Sequence, residues 1–563
     1  MSIGWCLKVA VGRIILTCSA VALMALGAPL SAAAVQQDFG AWRAYMRGRV
    51  AISQDRLGEA VRQFQTALQA SEHDRILRQR TFGLALLSGD EKLSFELARA
   101  LEKAGQSGFD TRLVLLAQAV QDKEWDRAVE IRNGLSKENQ LLFALPVIDS
   151  WLALGRGKDD PLAPIAGVGG NALAESYAAE HRAFLLGATG RTDDAMAAFQ
   201  PLITGETGRA TRIRLVAAAM LQRKGRKEEA AALLTGRDPV IRAAHAMVQG
   251  GKRLRTGIAT PAEGMAELFV RLAADAGRDH TSQAGLVIAR LATFLAPQNA
   301  ETWLVTASLL ADDDKPQAAL DALAGISPTD PFAAQATGFR ISLLQRLNRQ
   351  AEALGIAQAA AAAAGAGVPE WSQLGDVLNM AELHEDAARA YARAIELTPS
   401  DQPDWRLYLL RGGAYERLGD WTRAEPDLRR AVALAPDEAV ALNYLGYALL
   451  DRGLKLEEAQ RLIENASAKR PGDGAITDSL AWVHYRRGNF ARAIDLLEQA
   501  VQLEPAEPTI NEHLGDAYWQ VGRRYEARYS WRAAMVGAEE EDVLARLRRK
   551  IDFGLAAGDD SAQ

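Results

Sequence analysis

The chain has 563 residues, well beyond the ~250–300 at which a single hydrophobic core stops growing, which predicts several modules or an elongated array. Hydrophobic residues make up 48% of the sequence, charged residues 24% and aromatic residues 6%, a composition that disfavours both disorder and a polytopic membrane protein. The 65 basic and 71 acidic side chains give a formal charge of −6, so no overall positive field attracts nucleic acid, and we predict no nucleic-acid partner.

The segment over 1–34 has the order of a secretory signal peptide. Lys8 and Arg13 precede an apolar run over 14–28, and small residues close the segment at Ala32 to Ala34. The apolar run is shorter than the ~20 residues that span a bilayer. We therefore predict cleavage near Ala34 and a periplasmic protein. The alternative is an uncleaved N-terminal segment that anchors the chain in the membrane.

Small residues recur every 34 positions in the C-terminal third of the sequence. Leu480 and Gly488 are matched one period later by Leu514 and Gly522. Further copies upstream contain Gly446 and Ala459, Gly412 and Ala424, Gly375 and Ala387, Leu344 and Ala353, Trp303 and Ala319, Gly225 and Ala230, Gly190 and Ala195, Ala128, Gly89, and Ala60. Glycine favours a tight turn between two helices, and a small residue lets helices cross closely. The spacing predicts tandem helical hairpins.

The order Trp, Leu-Gly, Tyr, Ala, Phe, Ala and Pro at fixed offsets resembles the tetratricopeptide repeat. This resemblance implies an all-α fold, a right-handed superhelical α-solenoid of tandem helical hairpins. A single hairpin cannot bury its apolar faces, so each copy needs neighbours.

The repeat pattern divides the chain into six predicted segments. They are a signal peptide over 1–34, degenerate hairpins over 35–234, an irregular helical segment over 235–298, a C-terminal array over 299–537, a capping helix over 538–556 and a disordered tail over 557–563.

No catalytic or metal-binding motif accompanies the repeats. The seven histidines are scattered without an H-E-x-x-H pair, and neither a G-x-S-x-G elbow nor a phosphate-binding P-loop occurs. Both cysteines, Cys6 and Cys18, precede the predicted cleavage site, so the mature chain has no predicted thiolate. We predict no catalytic residue, no metal and no cofactor, and a protein that is not an enzyme.

An enzyme, or an enzyme subunit acting on cell-wall glycan or peptide, is the alternative from a different class. Its acids would come from the irregular segment, which contains Glu263, Glu267, Asp275, Asp279 and His280. Nothing in the spacing of these residues demands catalysis.

The family resemblance implies that the first helix of each unit lines a concave face through positions 2, 5, 9, 12 and 13. With units that start at 439, 474 and 508, the predicted groove residues are Asn443, Tyr447, Asp451, Asp478, Trp482, Tyr485, Arg486, Glu512, Asp516 and Trp519. Aromatic and arginine side chains are common anchors for a peptide, and Asn and Asp can bind its backbone. The alternative for Trp482 and Tyr485 is packing between neighbouring helices.

The segments over 478–488 and 513–519 resemble the closing units of long exported tetratricopeptide proteins of Gram-negative bacteria. One branch of that group is a lipoprotein adaptor for a periplasmic C-terminal processing protease. The resemblance implies a non-catalytic scaffold for protein or peptide partners, with an envelope protease or a cell-wall hydrolase as examples. This chain differs from that branch because Cys18 lies within the apolar run, where lipidation is disfavoured, so membrane association is left open.

Overall fold

Helices are the only regular elements in the described residues. The computed structural model describes residues 32–71, 74–137, 141–204, 208–236, 238–278, 282–363 and 365–555. The predicted signal peptide, except for residues 32–34 at the start of α1, and the predicted tail lie outside the described residues. None of the helices in these ranges combines the length and apolarity needed to cross a membrane.

The chain divides into two compact units, residues 1–336 and 337–563. The first unit contains α1 (Ala32–Ser53), α2 (Leu57–Ala70), α3 (Arg75–Ser88), α4 (Glu91–Lys103), α5 (Phe109–Gln121), α6 (Trp125–Ser136), α7 (Leu145–Arg156), α8 (Ala163–Ala166), α9 (Ala172–Ala188), α10 (Thr192–Phe199), α11 (Gly208–Arg223), α12 (Lys227–Leu233), α13 (Pro239–Gln249), α14 (Pro261–Arg278), α15 (Ser282–Leu295), α16 (Ala300–Asp312) and α17 (Pro316–Leu323).

The boundary between the units falls within α18 (Ala333–Arg346). The second unit continues with α19 (Gln350–Ala362), α20 (Val368–Met380), α21 (His384–Leu397), α22 (Trp405–Arg417), α23 (Trp421–Leu434), α24 (Ala439–Asp451), α25 (Leu456–Lys469), α26 (Gly474–Arg486), α27 (Phe490–Leu503), α28 (Pro508–Gln520), α29 (Arg524–Gly537) and α30 (Glu541–Phe553). From α19 onward each helix packs on the next one along the chain, as expected for hairpins with short turns.

A residue in the left-handed backbone region marks the turn of most hairpins. Such residues with positive φ occur at Asp55, Gly89, Lys123, Gly157, Gly190, Gly225, Asp314, Asn348, Glu382, Gly419, Gly453, Gly488 and Gly522. Most neighbours in this series are close to one repeat period apart, and the series is interrupted between Gly225 and Asp314. The interruption contains the irregular segment predicted from sequence. The turns also show that the same period continues through the N-terminal copies, where the side-chain signal is weak.

Small residues allow the two helices of a hairpin to approach closely. Ala387, Ala424 and Ala459 are fully buried on the second helices of their hairpins. A Cβ added at Gly515 would overlap the buried indole of Trp531. The packing reason for small residues at these offsets is therefore the one expected from the sequence.

The segment over 235–298 contains three helices, and two of them pack back onto earlier helices of the same unit. α14 contacts α5, α7 and α9, whereas α15 contacts α3 and α5. Arg290 on α15 donates two hydrogen bonds to the carbonyl of Leu87, at 3.1 and 2.7 Å, and Gln121 donates one to the carbonyl of Phe294 at 2.7 Å. The contacted elements are the first helices of four successive hairpins, so α14 and α15 cover that face of the first unit.

A buried network of charged side chains joins α9, α11, α14 and α16. Glu267 is fully buried and accepts hydrogen bonds from Arg209 Nη1 and Arg212 Nη2, each at 2.7 Å. Arg209 also pairs with Glu180, and Arg212 Nε lies 3.0 Å from Glu301 Oε2. Buried charges are tolerated only when they are paired in this way. The network ties the middle segment to the repeats on either side.

The other acids of the enzyme alternative also have structural contacts. Glu263 accepts hydrogen bonds from the backbone N–H groups of residues 259 and 260, at 2.8 and 3.0 Å, at the start of α14. Asp275 accepts a hydrogen bond of 2.5 Å from the Tyr177 hydroxyl. Asp279 and His280 lie outside the described residues. The described acids of this segment therefore fix helices in place.

Candidate binding cavity

A cavity of about 450 Å³ opens on the first helices of the second unit. Its lining comes from α22, α24, α26, α28 and the turn that precedes α28. The lining residues are Glu416, Asn443, Tyr444, Tyr447, Ala448, Asp451, Arg452, Ala475, Asp478, Ser479, Glu504, Glu507, Thr509 and Ile510. Its volume falls within the ~300–1,000 Å³ range of ligand pockets.

Helix α24 supplies three of the predicted groove residues to this cavity. Asn443, Tyr447 and Asp451 are spaced by four residues, which places them on one face of the helix. Leu445 and Leu449 on another face are buried in the core of the unit. The apolar core contacts therefore fix which side of α24 faces the cavity.

One polar atom of these three side chains, Asn443 Oδ1, is buried and has no hydrogen-bond partner in the described part of the chain. Burial raises the pKa of Tyr447, and the nearby charges of Asp478 and Asp451 raise it further. Burial also raises the pKa of Asp451. A buried polar atom without a partner is costly, so this face of α24 is suited to a ligand that donates a hydrogen bond to Asn443 Oδ1.

The cavity is acidic. Of its five carboxylates, Glu416 pairs with Arg452 at 2.6 Å, and Asp478 pairs with His513 at 2.9 Å. Asp451, Glu504 and Glu507 form no ion pair within the described residues. Arg452 is the single basic lining residue, so the cavity presents an excess of negative charge.

Three predicted groove residues on α26, Trp482, Tyr485 and Arg486, do not line the cavity. Trp482 stacks on His513 with ring centroids 3.9 Å apart, and on Tyr485 at 4.3 Å. The side chains of Trp482 and Tyr485 are buried, which matches the predicted alternative of packing between helices. Arg486 is half-buried and does not line the cavity. Asp478 links the cavity to the buried aromatic stack, because it lines the cavity and also binds His513.

Of the last three predicted groove residues, Glu512 and Asp516 contact α30, and Trp519 is covered by a side chain of α29. Arg546 donates two hydrogen bonds of 2.9 Å to Glu512, and Lys550 Nζ lies 2.7 Å from both Glu512 and Asp516. Trp519 is covered by Arg524, whose guanidinium lies 3.7 Å from the ring centroid. The helix α30 therefore occupies the groove positions of α28, an arrangement that the sequence pattern did not indicate.

Sequence reasoning missed the lining residues outside the regular groove positions. Glu504 and Glu507 lie in the turn between α27 and α28, and Glu416 lies near the end of α22. The repeat register predicts groove residues only at fixed positions of first helices, so it cannot predict lining residues in the turns. The acidic side chains of Glu416, Glu504 and Glu507 were the only sign of an acidic cavity in the sequence.

We expect the second unit to lose stability as the pH rises, because His513 then loses its proton and its ion pair with Asp478 is lost. Burial alone would lower the pKa of His513, but the carboxylate of Asp478 outweighs burial and raises it. The folded pKa then exceeds the unfolded pKa of ~6.5, so the stabilisation is complete below that pH and is lost as the pH rises through the folded pKa. Urea denaturation across this range, with hydrogen exchange to separate the units, measures the effect. Asp478→Asn should remove it.

His181 in the first unit provides a comparison of opposite sign. Burial lowers its pKa to about 4, and its Nδ1 accepts a hydrogen bond of 3.0 Å from the Trp151 indole. As the pH falls, His181 binds a proton in the unfolded chain before it does so in the folded chain. Stability is therefore lost as the pH falls from ~6.5 towards 4, by about 2 kcal/mol between pH 7 and pH 5. If both units respond to pH with the same sign, the assignment of these two histidines is wrong.

The sequence matches tetratricopeptide-repeat families within the second unit. A family described as "Tetratricopeptide repeat" matches residues 381–439 and 409–474, and one described as "TPR repeat" matches residues 483–522. The chain carries tetratricopeptide repeats in these residues, as predicted. The helical hairpins of the described residues confirm the predicted all-α class.

Two known proteins share a segment with this chain. TPR repeat-containing protein PA4667 of Pseudomonas aeruginosa is 37% identical over 141 residues, which cover 25% of this chain and 23% of that protein. Bacteriophage adsorption protein A of Escherichia coli is 28% identical over 151 residues, which cover 25% of this chain and 15% of that protein. The match therefore spans less than a quarter of either relative.

Solved structures with the same repeat are more distant. A tetratricopeptide repeat protein from Parabacteroides merdae is 16% identical, with a TM-score of 0.38, and the match covers 44% of this chain and 96% of that one. TTC0263 from Thermus thermophilus is 22% identical, with a TM-score of 0.29, and the match covers 32% of this chain and 97% of that one. These likenesses concern the fold alone.

Proposed function

We propose that this chain is a non-catalytic exported scaffold that binds a protein or peptide partner in the cavity of its second unit. The observation that carries the proposal is the row of Asn443, Tyr447 and Asp451 on one face of α24, which lines the cavity and includes a buried amide oxygen, Asn443 Oδ1, without a partner. A purely structural role would require this buried oxygen to be satisfied within the fold.

An extended peptide suits this row better than a small apolar ligand. A peptide backbone offers a donor and an acceptor at every residue, which an amide, a phenol and a carboxylate can bind. Tyr444 and Ile510 add apolar surface beside the polar row. This combination of apolar wall and few polar groups is typical of binding pockets.

The exported location and the class of partner are part of the same proposal. The charged, apolar and small-residue order of the segment over 1–34 supports export. The resemblance of residues 478–488 and 513–519 to exported adaptor proteins supports an envelope protease or a cell-wall hydrolase as the partner. Sequencing of the mature N-terminus tests export: a start near Val35 is expected, and retention of Met1 contradicts cleavage.

Site-specific photocrosslinking in cells tests the binding cavity. Trp482 and Trp519 are poor positions for a probe because one is buried and the other is covered. Ala475 and Thr509 line the cavity and are exposed, so a photoreactive residue there should capture the partner.

Glu457 provides the matched control for this experiment. It is exposed on α25, and it does not line the cavity. We expect one protein to be crosslinked from positions 475 and 509 and not from position 457. Capture of the same proteins from all three positions, or from none, contradicts the proposed site.

A further inference from the structure

We infer that the cavity of the second unit selects a partner segment that carries a lysine or arginine side chain. The inference rests on the proposed function and specifies the chemistry of the ligand. Two observations carry it: the chain places its own cations on the equivalent face of the next repeat, and the cavity contains carboxylates without counter-charges.

The next repeat shows which side chains this face accepts. Asn443, Asp478 and Glu512 occupy the same position of the first helix in three successive repeats. At the last of these positions, Glu512 binds Arg546 and Lys550 of α30. Lys550 is buried in this contact. In this last repeat, the face of the first helix therefore encloses cationic side chains between its carboxylates.

The cations of α30 shift the ionisation of Glu512, whereas burial keeps the pKa of Asp516 raised. Burial alone would raise the pKa of Glu512, but Arg546 and Lys550 outweigh burial and lower it. The Lys550 ammonium group also lies 2.7 Å from Asp516 Oδ2, and it therefore bridges two successive turns of α28. Charge-assisted hydrogen bonds of this type are among the strongest in proteins.

The cavity lacks the cation that α30 provides one repeat later. Asp451 is half-buried and forms no hydrogen bond or ion pair within the described residues, and Glu504 and Glu507 have no ion-pair partner there. Bringing a cationic head group among these carboxylates supplies the missing counter-charge. The adjacent Asn443 and Tyr447 side chains can then hydrogen-bond the peptide backbone.

The basic side chains near the cavity do not fill this role. Arg452 is held by Glu416 at 2.6 Å and donates a second hydrogen bond to the carbonyl of Ala448 at 3.1 Å. Arg486 acts on Asp451 through its charge but does not line the cavity. An acidic peptide would therefore face three carboxylates that form no ion pair within the described residues, and a cationic peptide would pair with them.

Selection from a random heptapeptide display library on the full chain tests the inference. We expect lysine and arginine to be enriched several-fold over the input library in peptides retained by the wild-type chain. Asp451→Asn and Glu507→Gln should each abolish most of that enrichment. Glu457→Gln is the matched control, since it removes the same charge from an exposed residue outside the cavity, and it should retain the enrichment.

Affinity measurements on a selected peptide complete the test. Fluorescence anisotropy measures binding of the peptide. We expect binding to weaken about tenfold when the cationic residue of the peptide is replaced by norleucine, and also when the protein carries Asp451→Asn. Circular dichroism checks that each protein variant is folded. If neutral or acidic peptides are retained through the cavity equally well, the cationic preference is wrong and the proposed function stands. If no peptide is retained through the cavity, both are wrong. Equal enrichment in Asp451→Asn and wild type also overturns the inference.

Discussion

Replacement of Glu267 by glutamine is expected to destabilise the first unit by about 3–5 kcal/mol. Glu267 is fully buried between Arg209 and Arg212, and both guanidinium groups donate to its carboxylate. Burial alone would raise the pKa of Glu267, but these two arginines outweigh burial and lower it. Glutamine keeps the shape but removes the negative charge, which leaves the buried Arg212 and the half-buried Arg209 with less compensation.

Glu301→Gln is the matched control in the same network. Burial raises the pKa of Glu301, and the neighbouring charge of Glu267 raises it further, so a neutral side chain costs little there. We expect a change within about 1 kcal/mol for this variant. Urea denaturation at pH 8, followed by circular dichroism and tryptophan fluorescence, compares the two variants. Equal losses of stability would show that the network does not depend on Glu267 in particular.

Gly515→Ala is expected to destabilise the second unit by about 1–3 kcal/mol, the usual cost of overpacking. The added methyl group would overlap the Trp531 indole and lie 3.0 Å from the carbonyl oxygen of Ala527. Trp531 is fully buried and donates a hydrogen bond of 2.8 Å to Asp516, which also binds Lys550. The indole therefore cannot move away without disturbing the contact between α28 and α30.

Gly355→Ala is the same substitution in a different environment. Gly355 lies within α19, is exposed, and a Cβ there meets no atom within 4 Å. Alanine favours the helix over glycine, so we expect a gain of about 0.5–1 kcal/mol. Denaturation midpoints of the two variants should shift in opposite directions. A shift in the same direction would contradict the close-packing role of Gly515.

The repeats of the second unit could be predicted from sequence because their chemistry is local. The turn at Gly488 and the crossing at Ala493 depend on residues a few positions apart, and the same requirements return in the next repeat at Gly522 and Ala527. The packing of α14 and α15 on α3, α5, α7 and α9 could not be predicted in this way. The Arg290 contact with Leu87 joins residues 203 positions apart, far more than one repeat period.

The cavity was predictable in part. The register placed Asn443, Tyr447, Asp451 and Asp478 on the face that lines it, because position within a helix fixes direction. The register could not show that α30 returns to cover Glu512, since a capping helix has no repeat to follow. Nor could it show the stacking of His513 on Trp482, which depends on the distance between neighbouring repeats.

Helix α24 carries its structural and its recognition residues on different faces. Leu445 and Leu449 hold the helix in the unit, whereas Asn443, Tyr447 and Asp451 line the cavity, and Tyr447 also packs against the core. Ligand preference can therefore be changed by exchanging Asn443 and Asp451 while the core contacts are left intact. The same separation makes the scaffold a convenient starting point for engineered peptide readers, whose specificity would be set residue by residue.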